Sequence, residues 1–546
     1  MKRGFTYTKV LSVLLALTLV LLTACSQTKE TTGEKGTTAT AAATDKETNA
    51  VATPKLDKNA KIRIAVPSNS GVKGFEQGAS ESDNQFLNAI KEKTGYKNVE
   101  WTIIPAASQL DKYNLMFASG DVFDLIYTND LTIFKRFSAQ GALTPVEPLV
   151  KQFGNEIEKH VTDNAWAAVT LDGAKLAIPA SPFQKYKDQD LGSGFLVRQD
   201  WVDKLGLSAP KNLDDLYTFL KTIKDKDPSG KGTIPYVASG GNNGNPLDGL
   251  DVITGAFGLS GLNNLAVPFI VKDGKLIDAQ DAYLKDMLTY LAKLYKEGLI
   301  DNEYLFNKSQ QVAEKISSGK AASGYFGYYE PNGFRPALVK SDPNAKLMYM
   351  PPVEGKDGQK GYIIPAPVSN YYMVPKNAKN KNEAIDLLNT YLKDKDLQLF
   401  INYGKEGVHY NKDASGNLVP IKPIYDQIIY KLYYRMWTTP EIWLPNAILA
   451  GLNPDMNSYV TAGPHDTVFN INYYRPQTDA ELSKGRALMD LRNEYVSKII
   501  NGALPISAVD EYFKKADANG RQEVINASQD WFTKTGKALY SNLTKK

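Results

Sequence analysis

One thiol, Cys25, and three histidines are the whole supply of soft metal ligands and ready nucleophiles in this chain. A single cysteine rules out any disulfide within the chain, and three histidines make a His-based zinc site an unpromising expectation. There is no Gly-x-Ser-x-Gly elbow, no His-Glu-x-x-His helix and no phosphate-cradling P-loop. Gly192-Ser193-Gly194 lacks the third glycine of a dinucleotide fingerprint. Acidic residues are scattered, so two of them meeting as the carboxylate pair of a glycoside hydrolase stays open as an alternative. The abundant chemistry is aromatic, with 31 Tyr, 20 Phe and 6 Trp. Amide and acid side chains stand beside it where strands should end: Asn69, then Thr128, Asn129 and Asp130, then Asn242 and Asn243 in the run Ser239 to Gly244. Rings and amides of this kind suit the holding of a ligand.

The elements that must position these residues follow from periodicity. Ile62, Ile64 and Val66 alternate as a strand ending at Pro67-Ser68-Asn69, and Phe86, Leu87 and Ile90 mark a helix stopped near Gly95. Val99, Trp101 and Ile103 give a second strand, Leu110, Tyr113 and Phe117 a second helix, and Leu125-Ile126-Tyr127 a third strand. This β-α-β-α-β order predicts a mainly parallel sheet, whose ligands bind beyond the carboxyl ends of its strands. A second unit opens near Phe195. Asn212 caps a helix with Asp215 in capping-box position, and Leu213, Leu216, Tyr217, Leu220 and Ile223 form its apolar face. Ile234 to Ala238 and Ala321 to Tyr329 read as strands, Leu284 to Tyr295 as an amphipathic helix, and Tyr371 to Val374 as a strand before another helix. From Ile424 onward the pattern is mainly helical and aromatic, and there is no internal repeat.

The first residues set the compartment. Lys2, Arg3 and Lys9 precede an apolar run from Val10 to Leu22, too short to span a bilayer, which takes about 20 residues. Basic start, short apolar core and small residues are the pattern of a secretory signal peptide. Leu22-Thr23-Ala24-Cys25 resembles the lipobox of bacterial lipoproteins, which implies a lipid on Cys25; an ordinary signal peptide with a chance Cys is the alternative. Residues 26–58 are rich in Thr, Lys, Glu and Ala and cannot offset the entropy of ordering. As a coil they reach roughly 30 Å. The rest is long enough for two or three domains. The formal charge of +4 includes three basic residues of the leader, so bulk charge offers no reason to bind nucleic acid.

Four segments then resemble the extracellular solute-binding proteins, family 1, of bacterial ABC importers, in particular a long lipoprotein branch associated with oligosaccharide uptake. They are Leu115 to Asp124; Arg198 to Leu207, leading into Asn212 to Tyr217; Gly404-Lys405-Glu406-Gly407-Val408-His409-Tyr410; and Ile500-Asn501-Gly502 with Asp510-Glu511-Tyr512. The resemblance runs from about Lys61 to Phe532. It implies a two-lobed α/β fold of the periplasmic-binding-protein type II, two parallel-sheet lobes joined by a hinge. The expected division is a signal peptide 1–24, a tether 25–58, first-lobe residues 59–180, second-lobe residues 181–361, a return segment 362–425 and a mainly helical part 426–546 on the second lobe and the cleft. Two departures stand out. Many members carry a calcium loop after the capping-box helix, whereas Asp227 to Pro235 here places Lys231 at a ligand position and lacks the closing acid. Val509 replaces a usual Trp.

The resemblance implies a carrier without catalytic residues or cofactors, monomeric, anchored on the outer face of the cell membrane. Its partners would be a carbohydrate and the permease subunits of an ABC importer. A pyranose offers C–H faces to aromatic rings and hydroxyls to paired donors and acceptors, and closure of the lobes strengthens those hydrogen bonds. The ligand-binding expectation falls on Asn69, Asn129, Asp130, Asn242, Asn243, Tyr328, Tyr329, Glu330, Arg435, Trp437 and Trp443. Each has a plain alternative: turn-forming Asn and Asp, core Trp or Tyr, and an exposed Arg. Tyr329 stands at the family's usual cleft aromatic, and Trp437 and Trp443 flank Pro440. Arg435 suits a uronic-acid carboxylate. His409 is read as a hydrogen-bonded structural residue. An adhesin is a further alternative, without the repeats that would favour it.

Overall fold

Apolar residues in consecutive strand positions, not merely alternate ones, demand a sheet covered on both faces. Ile62, Ile64, Ala65 and Val66 are all buried. The computed structural model describes residues 55–69, 72–180, 193–259, 265–328, 330–363, 366–414, 418–439, 442 and 467–544. Its first sheet has five strands, in the order Val99–Ile104, Ile62–Pro67, Leu125–Thr128, Asn370–Met373, Ile178–Ala180. The first three are parallel, with Ile64 opposite both Trp101 and Leu125. Asn370–Met373 runs antiparallel, Tyr371 pairing with Thr128 on one side and Pro179 on the other. Helices Gln85–Thr94, Gln109–Ser119, Leu131–Ala139 and Lys381–Lys393 supply Phe86, Tyr113, Phe134 and Leu388 to this first core. Asn84 caps the first of these by accepting from Phe86 N and Leu87 N, and Gly95 ends it at φ 76°.

A second core forms around the strand Ser193–Arg198, whose side chains divide by alternation: Phe195 and Val197 enter one core, Leu196 another on the opposite face. This sheet departs from the expected parallel ladder, because Ser193–Arg198 pairs antiparallel with both Ser323–Gly327 and Leu347–Met350. Residues 234–238 do not form a full strand; parallel bridges Ile234 to Ala321 and Val237 to Gly324 lay them beside Ser323–Gly327. The helix Leu213–Lys226 buries Leu216, Phe219, Leu220 and Ile223, and Asn212 Oδ1 accepts from Asp215 N at 2.9 Å. Ala279–Lys296 packs against Asp479–Ile500, and Leu288, Leu291, Leu488 and Val496 all lie in the second core.

The part after Ile424, expected to be mainly helical, is only partly so in its first residues. A short helix, Ile424–Gln427, and a 3-10 turn, Ile429–Tyr433, lead into non-helical backbone, and Tyr430, Tyr434, Met436 and Trp437 enter the first core, not the second. Within the described residues 467–544 a long helix begins at Asp479. Tyr362–Ile363, whose Tyr362 lies in the second core, pairs in parallel with Thr467–Val468. Beyond this pair, Asn472 brackets Phe269 of the second core, accepting from its N–H at 3.1 Å and donating to its C=O at 2.7 Å. Lys135, on a helix of the first core, donates to the Asn472 carbonyl at 2.7 Å. Two cores joined by crossing segments make the two-lobed α/β fold. No helix among the described residues is long and apolar enough to cross a membrane.

Candidate functional site

At the carboxyl edge of the first sheet the chain leaves Pro67 through Ser68, whose N–H reaches Ile104 O at 2.7 Å and whose hydroxyl accepts from Ala106 N at 2.9 Å. These bonds tie two strand ends together and leave Asn69 exposed. Asn129 and Asp130 are exposed after Thr128. Asp130 also serves as a cap: one carboxylate oxygen accepts from Thr132 N at 2.7 Å at the start of Leu131–Ala139. Asn370 and Tyr127 join the same edge, the tyrosine hydroxyl donating to Asn370 Oδ1 at 2.7 Å. Sequence reading missed this pair. It sought only carboxyl ends, whereas the amino end of an antiparallel strand comes to the same rim; the signal was the polar pair Ser369-Asn370 opening an apolar strand.

Arg435 reaches the same region. It is exposed, while Tyr434, Met436 and Trp437 around it are buried. Burial pushes the Tyr127 and Tyr372 phenols up, and the Arg435 guanidinium pulls both back, which sets the cation near them. Trp437 is corrected from a ligand platform to a core residue: it is 2% exposed and lies nearly parallel to Tyr372, with centroids 6.5 Å apart. A ring with no open face cannot take a sugar. Tyr328 is corrected likewise, 2% exposed and edge-on to Tyr349 at 4.5 Å. Cys25, Tyr329 and Trp443 lie outside the described residues.

In the second lobe, a cavity of about 490 Å³ opens where the 234–238 run and the Ser323–Gly327 strand end side by side, with Ser239, Ser309, Gln310, Tyr325 and Glu330 on its walls. The Glu330 carboxylate accepts from Gly327 N, and burial, with Asp248 nearby, raises its pKa. Asn242 braces this wall, since its amide donates to Asp248 at 2.9 Å and Ser309 at 3.0 Å and its oxygen accepts from Ser309 N at 3.3 Å. Its hydrogen-bonding capacity is therefore spent on the loop, the plainer of its two readings. Asn243 lies in the 3-10 turn Asn242–Gly244; its side chain is outside the description. Phe306, 83% exposed, stands beside this loop because Gly241 packs so closely that a Cβ there would come within 2.7 Å of the Phe306 backbone. It too was missed, and the available signal was a Phe in a polar run after a helix has ended.

A mixed-charge groove of about 520 Å³ lies among Lys93 and Lys393, near helix carboxyl ends, and Asp394 and Asp396, at the start of the helix Lys395–Tyr403. His409 is buried and its Nδ1 accepts from Lys405 N at 2.8 Å. The loop compared above with a calcium site does not fit that ion. Asp227 accepts from Thr233 Oγ1 at 2.7 Å, Thr233 N at 2.8 Å, Ser229 Oγ at 2.9 Å and Gly232 N at 3.0 Å. Donors converging on one carboxylate surround an anion, whereas calcium needs six to eight oxygen lone pairs. Among the described residues no three His, Cys, Asp or Glu side chains gather as a metal site.

Comparison with known proteins identifies the family and the fold. The family model described as bacterial extracellular solute-binding protein matches residues 78–397. Lipoprotein LipO of Bacillus subtilis is 28% identical over 344 residues, 59% of this chain and 63% of the relative. The polygalacturonan/rhamnogalacturonan-binding protein YtcQ of the same organism is 24% identical over 472 residues, 81% of this chain and 88% of the relative. Among solved structures, the alginate-binding protein AlgQ2 without calcium ion aligns over 87% of this chain and 99% of its own, with TM-score 0.58 and 22% identity.

Proposed function

Because the chain belongs to the bacterial extracellular solute-binding protein family, we propose that it captures an oligosaccharide between its two lobes and hands it to the permease of an ABC importer. The family and its relatives are carriers, and several named members bind carbohydrates. The observation that carries the reading is the pair of polar edges at strand ends: Asn69, Tyr127, Asn129, Asn370 and Arg435 on one lobe, Ser239, Ser309 and Glu330 around a cavity on the other. Among the described residues neither shows the base-oriented nucleophile of covalent catalysis. Both hold donors and acceptors in the mixture a sugar needs. Tyr329, Asn243 and Trp443 remain proposed contacts, as does Phe306 as a stacking face.

The crossing segments around Asn472 act as the hinge about which the lobes close. The lipid on Cys25, with the tether behind it, keeps the carrier at the outer face of the membrane as a monomer.

Incubation with oligosaccharides tests the function directly. Saturable binding with the sugar recovered intact, together with a smaller radius of gyration in small-angle scattering, is the expected result. Shortened sugar in the recovered material overturns the carrier reading in favour of a hydrolase. Melting shifts with amino acids, peptides or metal ions but with no sugar overturn the choice of ligand.

A further inference from the structure

The cavity in the second lobe is closed at its depth. Val237, Val312, Phe326 and Phe334 line it, each at most 5% exposed. All four belong to the third core, on the face of the sheet that receives Leu196. Phe326 and Phe334 meet there with ring centroids 5.2 Å apart. The helices Ser309–Ser317 and Pro331–Ser341 pack on one another and supply the side walls. The mouth lies at the strand ends, where Ser309 is exposed and Ser239 and Glu330 are half-buried. A sugar chain cannot thread through a space with a packed base; it can enter only by an end.

Small residues keep that space open. Gly333 lies inside the helix Pro331–Ser341, with no left-handed φ and nothing within 4 Å of where its Cβ would stand. Glycine there gives up helix propensity with no turn or close approach to require it. Ala313 faces the same space from the other helix. The volume of about 490 Å³ falls in the range of small-molecule pockets, ~300–1,000 Å³. Hydrogen-bonding capacity remains at the mouth. Ser309 Oγ accepts from Asn242 at 3.0 Å, which leaves its own O–H to donate. Ser239 donates to Asp248 at 2.7 Å and keeps its lone pairs. Glu330 offers one carboxylate oxygen to Gly327 N and has the second beside it. Donor and acceptors over an apolar base match a sugar ring, whose hydroxyls lie at its rim and whose C–H groups lie on its faces.

We propose that this blind pocket takes the terminal residue of the carried oligosaccharide, so that the carrier selects its cargo by a chain end, with Gly333 and Ala313 setting the room for that residue. This rests on the carrier reading above and deepens it. Internal segments of a polymer are then refused, because neither of their two neighbours has a way out through the base.

Calorimetric titration of the purified chain with xylo-, manno-, fructo- and galacturono-oligosaccharides of graded length tests the inference. Each series is set beside its parent polymer and beside forms carrying a bulky tag on one terminal residue or on the other. In the series that binds, a tag on at least one end lowers affinity at least tenfold, and a long chain takes up no more carrier than a short one. Gly333→Leu fills the pocket and lowers affinity at least tenfold, yet melts no lower than the parent, since leucine replaces a helical glycine in open space. Ala313→Leu, from the facing helix, lowers affinity likewise. Affinity indifferent to tags at both ends, several carriers bound along one polymer chain, or parental affinity in both variants overturns the inference and leaves the carrier reading standing. Absence of binding by every series overturns both.

Discussion

Glu330 keeps its carboxylate where water reaches it poorly, and this makes its stability contribution depend on pH. Burial raises its pKa above that of an unfolded glutamate, about 4.3. The folded state then holds the proton more tightly, so the contribution is full below the unfolded pKa and is lost as pH rises through the folded one. Glu330→Gln keeps an acceptor for Gly327 N–H without the charge. It should melt higher than the parent at pH 8, with the difference closing near pH 4; a lower melting point at pH 8 would mean that the Gly327 contact outweighs burial. Asp227 works in the opposite sense. The Thr233 hydroxyl, then the N–H groups of Gly232 and Thr233, hold its carboxyl well below the usual range. Its contribution is present above the unfolded pKa of about 3.9 and is lost as pH falls toward the folded one. Thr233→Val should lower the melting temperature at pH 7, and neither calcium nor a chelator should move the parent's melting curve. A rise on adding calcium would restore the ion to this loop. At this scale the sequence was hardest to read. Trp437 and Tyr328 carry the residue types of a sugar platform, and only their neighbours, Tyr372 and Tyr349, show that their faces are taken.

Elements are held to each other by a few buried polar clusters whose partners lie far apart in the chain. Asp278 caps the helix Ala279–Lys296 by accepting from Gln280 N at 2.9 Å and receives Arg521, from the helix Arg521–Trp531, at 2.7 Å. Arg521 also pairs with Asp281 and Asp517. Asp278 is fully buried, and that burial raises its pKa to about 6 despite the arginine. Arg521→Met therefore strands a buried carboxylate, at a cost of about 3–5 kcal/mol at neutral pH. Denaturant unfolding should show that loss, and a smaller one at pH 5, where the stranded acid takes up a proton. Local signals made most of these elements legible: the Leu216, Leu220, Ile223 spacing of one helix, and Asn212 and Gly95 as a start and a stop. Strand direction was not legible. Nothing in Phe195-Leu196-Val197 distinguishes an antiparallel neighbour from a parallel one, because the strand is buried on both faces either way. Between Ile424 and Thr439 aromatic density marks burial without fixing a helical period, whereas the helices from Asp479 to Thr544 follow the expected pattern.

The two cores must move as bodies for a carrier to open and close, so the contacts between them have to hold position without locking it. Lys135, Asn472 and Phe269 form a chain of three hydrogen bonds from a helix of the first core to a strand of the second. Burial lowers the Lys135 pKa to about 7, against about 10.4 for an unfolded lysine. Between those values the unfolded chain binds more protons, so stability due to this residue rises with pH. The parent should gain on Lys135→Met between pH 7 and pH 9. Asn472→Ala tests the coupling itself. It strands the N–H and C=O of Phe269 in a buried place, at about 1–3 kcal/mol for each group, and removes the acceptor-bearing side chain that orients the carbonyl for Lys135. If these bonds are what makes the lobes unfold together, calorimetry of the parent should give a single transition, and the variant should show a lower one in which the van't Hoff enthalpy falls below the calorimetric enthalpy. A variant that melts lower but still as one cooperative unit would place the coupling elsewhere, in the paired crossing strands Tyr362–Ile363 and Thr467–Val468.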